Sequence, residues 1–232
     1  MKEFESQLED SWKANAEAWT NSIRLKEIES RKVSTDHAVL NEIISLQPNK
    51  VLDVGCGEGW LARALSEQGI EVVGFDGSEE LVEKASAAGG GIFHYLNYSD
   101  FGRNPLQIGH DFDVAVCNFS LFSEEITSLL QSLTSILSPN GIIIIHTLHP
   151  YSIAQDGRYE SGWREETFSN MGEGYKAKMP WFYRTMGAWL NELKMAGIEL
   201  RDCKEPIHPV SGKPLSLLLK TTPKNNPRSA DA

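Results

Sequence analysis

The 232 residues hold 22 lysines and arginines against 32 aspartates and glutamates, giving a formal charge of −10 and an isoelectric point near 5.1. A chain of this length buries one full core, and so acidic a surface repels phosphate backbones, which argues against nucleic acid as a partner. Cys56, Cys117 and Cys203 stand apart without CxxC spacing, so neither a disulfide framework nor a zinc site is expected and a reducing cytoplasm fits. The start is acidic rather than basic, and no apolar run approaches the length of about 18 residues needed to span a bilayer, so neither secretion nor a membrane is expected.

Trp12, Ala16, Trp19 and Ile23 recur at helical spacing and predict an amphipathic N-terminal helix, a cap over residues 1–32. Short β-rich runs follow at 51–56, 71–76, 91–96, 112–119 and 141–148, several of them nearly continuous in apolar residues, as strands covered on both faces are. Helical segments lie between them at 60–68, 79–88 and 123–137, the last closed by Ser138-Pro139-Asn140-Gly141, with a weaker candidate over 97–110. Such alternation specifies a doubly wound α/β fold, a mostly parallel sheet with helices on both faces. A helix over 185–196 then leads through Gly197 into a strand over 198–207, and a second strand spans 215–221. The few residues between those two strands cannot hold a crossover helix, so they should be antiparallel neighbours. Residues 1–222 therefore form one domain, with an aromatic-rich insertion at 151–184 and a polar tail over 223–232 that is expected to be disordered.

Val51 to Gly59 reads as an apolar strand running into Gly55, Cys56, Gly57 and Gly59 and then a helix. Alternating glycines permit unusual φ angles and let a ligand approach the backbone at the carboxyl end of a central strand, where open α/β sheets bind nucleosides. Asp76, followed by Gly77, closes the next strand, and a carboxylate there can accept from both ribose hydroxyls. The loop departs from GxGxxG, since its third glycine comes two residues after the second and Asp53 precedes the turn. Both departures favour a sulfonium nucleoside over a pyrophosphate, which gains nothing from a nearby carboxylate.

These residues resemble the class I S-adenosylmethionine-dependent methyltransferases of the small-molecule type, through Asp53, Gly55, Gly57 and Gly59, Asp76, and Asp100-Phe101 after the third strand. The resemblance covers roughly 12–222 and is strongest in the first half. It implies a seven-stranded sheet of order 3-2-1-4-5-7-6 with the seventh strand antiparallel, and S-adenosylmethionine as cofactor. It places the 55–59 loop against the methionine portion, Asp53 near its amino group, Asp76 on the ribose, and Asp100 and Phe101 at the adenine. Asn118 and Phe119 floor the pocket beside the reacting methyl, and Trp19 of the N-terminal helix covers the donor. Asp100 has a second reading as a helix cap.

The acceptor is expected to be a small molecule, aromatic or cationic, because residues 151–189 concentrate tyrosines, tryptophans and phenylalanines with interspersed glycines, the texture of a flap closing by stacking or cation–π contact. Anchoring of a long surface excursion explains part of that concentration as well. His149, with His146 as second choice, stands at the same carboxyl edge and is the candidate catalytic base; either histidine can instead be bonded to backbone at a strand end. The motifs of base-methylating enzymes are absent, since Asn118-Phe119-Ser120-Leu121 stands where an Asp/Asn-Pro-Pro-Tyr/Phe run or a Pro-Cys pair would be. Two rivals stay open: an NAD(P)-dependent oxidoreductase on the same glycine turn, and a non-catalytic nucleoside-binding or partner protein.

Overall fold

The computed structural model describes residues 2–154 and 157–224. Nine strands and eight α-helices are seen among them: α1 (Lys2–Arg24), α2 (Asp36–Ser45), β1 (Lys50–Val54), α3 (Trp60–Ser66), β2 (Glu71–Asp76), α4 (Glu79–Ala88), β3 (Ile92–Tyr95), α5 (Tyr98–Arg103), β4 (Phe112–Asn118), α6 (Thr127–Thr134), β5 (Leu137–Leu148), α7 (Pro150–Ile153), β6 (Gly162–Glu166), β7 (Met179–Tyr183), α8 (Met186–Met195), β8 (Ile198–Lys204) and β9 (Ser216–Pro223). Seven strands form one sheet in the order β3-β2-β1-β4-β5-β9-β8, parallel from β3 through β5. β9 runs antiparallel to both of its neighbours, which is the expected topology with its terminal antiparallel pair. No helix among the described residues is long and apolar enough to cross a membrane.

Successive side chains of a strand point to opposite faces, and both faces here are covered. Leu52, Val54, Ala115, Cys117, Ile143 and Ile145 pack with α5, α6 and α8. Val51, Val114, Val116 and Ile144 pack on the other face with α2 and α3. Each fully buried aliphatic side chain contributes about 2 kcal/mol, so the central strands hold the glycine loop on the most stable part of the molecule. Ser78 caps α4, accepting from Leu81 N at 3.4 Å, and Thr185 caps α8, accepting from Ala188 N at 3.2 Å.

Several boundaries differ from the sequence reading. α2, preceded by a π-helical turn over Arg31–Thr35, lies in a segment for which no helix was expected. α6 begins only at Thr127, because tertiary contacts capture the residues before it: Arg184 Nη2 donates to Ser123 O at 2.6 Å and Glu124 O at 2.7 Å, while Glu124 N donates to Glu5 of α1. β5 starts at Leu137, so the Ser-Pro-Asn-Gly run lies within the strand element. The 97–110 segment divides into α5 and a 3₁₀ turn over Pro105–Ile108. The insertion carries an antiparallel ribbon, β6 paired with β7, in which Met179, Trp181 and Tyr183 alternate inward. Pro223 ends β9 and Lys224 N donates to Gly197 O at 2.8 Å; the remainder of the expected tail, 225–232, lies outside the described residues.

Candidate active site

β1 ends at Val54 and the chain turns through Gly55, Gly57 and Gly59 at φ of +73°, +55° and +81°. Gly55 N and Cys56 N both donate to Phe75 O, at 2.9 and 3.0 Å. A Cβ on Gly55 would lie 2.5 Å from Ser120 Cβ and 2.9 Å from Tyr98 Oη, so neighbouring loops close on the backbone there as no side chain would allow. Asp76, at the end of β2, accepts from Gly57 N at 2.9 Å through one carboxylate oxygen and from Ser78 N at 2.8 Å through the other. It thereby fixes the glycine loop and keeps lone pairs for a ligand.

Burial pushes the Asp76 carboxyl above its ordinary value, against the pull of those two amides. Asp53 is only 2% exposed. Burial, with the nearby Asp76 charge, raises its carboxyl to about 7.

Both carboxylates line a cavity of about 670 Å³, within the roughly 300–1,000 Å³ of small-molecule sites. The glycine loop with Asp53, Asp76 and Gly77 lines part of it, and Trp12, Trp19, Phe119, Phe122, Phe168 and Trp181 give it an aromatic wall. Trp12 meets Trp19 edge-on at 5.2 Å between centroids and stacks beside Phe122 at 6.3 Å. The Trp19 indole Nε1 would lie 3.9 Å from a Cβ on Gly57, so α1 roofs the loop.

Arg31 also lines the cavity, its Nε bonded to Asp36 Oδ1 at 2.9 Å and its plane 4.7 Å from the Trp60 ring centroid. Its Nη2 is buried without a partner among the described residues, a cost of about 1–3 kcal/mol that an anionic ligand would remove.

The two caps are joined to each other. Asn15 of α1 donates to Ala177 O at 2.7 Å and accepts from Lys176 N at 2.7 Å and Ala177 N at 3.2 Å. Tyr175 Oη donates to Ser22 Oγ at 3.1 Å. α1 is held to the body by Arg24, paired with the buried Glu58 at 2.7 Å, and by the Lys84–Glu17 pair.

The family model described as a methyltransferase domain matches residues 27–193, well over half of the chain. The chain belongs to that family. This membership sets aside the oxidoreductase rival. Among curated relatives, the ubiquinone biosynthesis O-methyltransferase of Psychrobacter arcticus is 31% identical over 138 residues, 56% of this chain and 53% of that protein. That of Rickettsia canadensis is 31% identical over 130 residues, 56% and 52% respectively. The chain thus spans about half the length of the curated relatives it matches. The structure of Burkholderia thailandensis 1,6-didemethyltoxoflavin-N1-methyltransferase, solved with its namesake ligand and S-adenosylhomocysteine, superposes at a TM-score of 0.63 with 19% identity, covering 97% of this chain and 90% of that one. The Synechocystis magnesium protoporphyrin IX methyltransferase superposes at 0.60 with 17% identity, covering 91% and 95%. At those identities the likeness shows a shared fold.

In this chain the sequence-predicted residues Asp53, Gly55, Cys56, Gly57, Asp76, Gly77, Asn118, Phe119 and Trp19 all line the cavity. Five others do not. Gly59 opens α3 and leaves room for α4, since a Cβ there would lie 3.0 Å from Ala85 Cβ. Phe101 is fully buried and stacks on Phe75 at 4.8 Å. Asp100 serves α5 instead: its N donates to the capping Asn97 at 2.8 Å, and its carboxylate accepts from Asn97 Nδ2 and Arg103. Asn97, Tyr98 and Ser99 line the cavity in their place.

The structure also places both candidate histidines away from the cavity wall. His146 is 1% exposed and has both ring nitrogens engaged, with Asn118 Oδ1 and Ser216 Oγ, each at 2.8 Å. Burial, aided by the Arg31 charge, lowers its pKa to about 3. His149 begins α7 and bonds Glu205 through Nε2 at 2.7 Å, beneath the β8–β9 connection. Neither lines the cavity. Arg31, Asn97, Tyr98 and Ser120 are among the lining residues that sequence reasoning missed.

Proposed function

We propose that the cavity binds S-adenosylmethionine and that the enzyme moves its methyl group to a small-molecule acceptor with aromatic character held under the caps. The observation that carries this reading is the pair of carboxylates at or near the ends of adjacent strands, Asp53 and Asp76, flanking a glycine loop in a cavity also lined by Arg31, whose buried Nη2 has no partner among the described residues. Those groups complement an amino acid joined to a nucleoside: Asp53 for the ammonium, Arg31 for the carboxylate, Asp76 for the ribose hydroxyls. Asn97 to Ser99 with Leu81 provide the far end for the adenine.

When bound, the cofactor supplies a sulfonium-activated methyl group. The chain's own part is to orient and to exclude water. The caps shield the site, and the ring wall positions an acceptor on the axis of displacement. A cytoplasmic location goes with this reading and with the three isolated cysteines.

Calorimetric titration with S-adenosylhomocysteine tests it. Micromolar binding by the parent chain and a loss of at least about tenfold in Asp76→Ala are expected. Unchanged affinity in that variant sinks the ribose assignment, and a filled donor site with no turnover across a broad acceptor panel favours the non-catalytic rival.

A further inference from the structure

Asn118 is the last residue of β4, and its neighbours in the sheet decide which end of its amide faces the cavity. Oδ1 lies 2.8 Å from Nδ1 of His146, the residue paired with it on β5, and His146 Nε2 lies 2.8 Å from Ser216 Oγ on β9. An amide oxygen only accepts, so the imidazole proton sits on Nδ1, Nε2 accepts, and Ser216 donates. One chain of hydrogen bonds therefore crosses three strands in a single direction. Ser216 is fully buried, and Phe119 lies against the His146 ring at 4.6 Å between centroids. The neutral form of His146, enforced by burial, keeps that direction fixed at physiological pH. Asn118 Nδ2 has no partner among the described residues and belongs to a side chain on the cavity wall.

We infer that the Ser216–His146–Asn118 relay presents Asn118 Nδ2 as a fixed hydrogen-bond donor on the cavity wall, so that the cavity selects a planar apolar acceptor bearing an unprotonated oxygen or ring nitrogen. His146 and Ser216 are positioning residues in this scheme, which rests on the methyltransferase reading above. A donor-only group such as an alkylammonium would set N–H against N–H at the half-buried Asn118 amide and be rejected. The ring wall of Trp12, Phe122 and Trp181 supplies the apolar complement.

Two measurements decide it. Long-range ¹H–¹⁵N spectra of the full chain should show His146 as the neutral Nδ1-protonated tautomer, without titration between about pH 5 and pH 8; an Nε2-protonated ring, or a midpoint inside that range, overturns the relay. In the second, isoquinoline and its isostere naphthalene are titrated at about pH 8 into chain saturated with S-adenosylhomocysteine. Isoquinoline should bind about tenfold tighter, the worth of one neutral hydrogen bond. Asn118→Leu should bring the ratio within about twofold. Ser216→Ala should lower it part-way without moving S-adenosylhomocysteine affinity, and Ser216→Thr, which keeps the hydroxyl, should restore it. Equal binding by the parent, or a preference that survives Asn118→Leu, overturns the proposal. If S-adenosylhomocysteine fails to bind, the donor-site reading falls, and the tautomer together with the isoquinoline preference of the unloaded chain still decides the relay.

Discussion

The two walls of the cavity are built on different principles. The donor wall is backbone: parallel strands set β1 beside β2 and β4, and the loop that follows is fixed by amides of Gly55, Cys56 and Gly57 bonding to Phe75 O and Asp76. The cap wall is side chain: α1 and the 151–184 insertion meet through Asn15, Tyr175 and the ring cluster, and reach the body through Arg24 and Arg184. Opening the first wall means breaking sheet packing, at a cost near that of global unfolding. Opening the second means breaking a handful of local contacts, which lies at the low end of the range of local stabilities. A permanent site for one invariant ligand and a movable wall for an entering and leaving one follow from that difference.

The sharpest way to break this comparison is Gly55→Ala. The new methyl meets Ser120 and Tyr98 on a backbone at φ +73°, which together cost roughly 3 kcal/mol. S-adenosylhomocysteine affinity should fall about a hundredfold in calorimetry and the melting temperature should drop. Gly57→Ala is the control, since its Cβ would meet only Trp19 Nε1 at 3.9 Å and carries the φ penalty of about 1 kcal/mol alone. Equal losses in the two variants would show that close approach is irrelevant and that the donor wall is not rigid.

That wall was also the legible one. Its signals are local: an apolar run, glycines at fixed spacing and an acid one strand later each act through backbone geometry that a sequence exposes directly. The terminal antiparallel pair was legible because the connection between β8 and β9 is too short for a crossover helix. What failed was whatever depends on tertiary aim. Asp100 and Phe101 are two and three residues past Tyr98, the first residue of α5, and only the capture of the helix start by Asn97 decides which of these face the ligand. His146 and His149 sit at the right edge of the sheet, yet one turns toward β9 and the other toward Glu205. Arg31 reaches the site through a π-helical turn that no periodicity announced. Arg184 stripped the first residues from α6 by binding their carbonyls, a contact 60 residues away in sequence.

Asn15→Ala addresses the cap wall. It leaves the amides of Lys176 and Ala177 without their shared acceptor, a loss of about 1–3 kcal/mol. Amide exchange over 172–183 should quicken by about tenfold or more, while S-adenosylhomocysteine affinity moves less than about threefold. Equal change in both readouts would mean the caps and the glycine loop open together, and the two-wall distinction would fail.

The smallest effect at neutral pH belongs to Asp53, and it sharpens the donor wall electrostatically. Its carboxyl titrates near 7 in the folded, ligand-free chain against about 3.9 when unfolded. Between those values the folded state holds a proton that the unfolded state has released. Its contribution to stability is therefore full below about pH 4 and shrinks as pH rises towards 7, with a slope approaching about 1.4 kcal/mol per unit. An ammonium placed beside Asp53 favours the ionised carboxyl, so donor-site binding must expel that proton below pH 7 and strengthen roughly severalfold as pH rises through that window. Asp53→Asn should reduce the stability slope to the part that belongs to Asp76, whose carboxyl burial also raises, flatten the affinity profile over that window and lower proton release, as read by calorimetry in buffers of different ionisation enthalpy. At pH 7 itself the variant should lose only roughly severalfold in affinity, since there the parent carboxyl is about half protonated already. A parent profile already flat between about pH 5 and pH 7 would place the ligand's ammonium away from Asp53 and leave the buried carboxylate as a cost the fold bears for another reason.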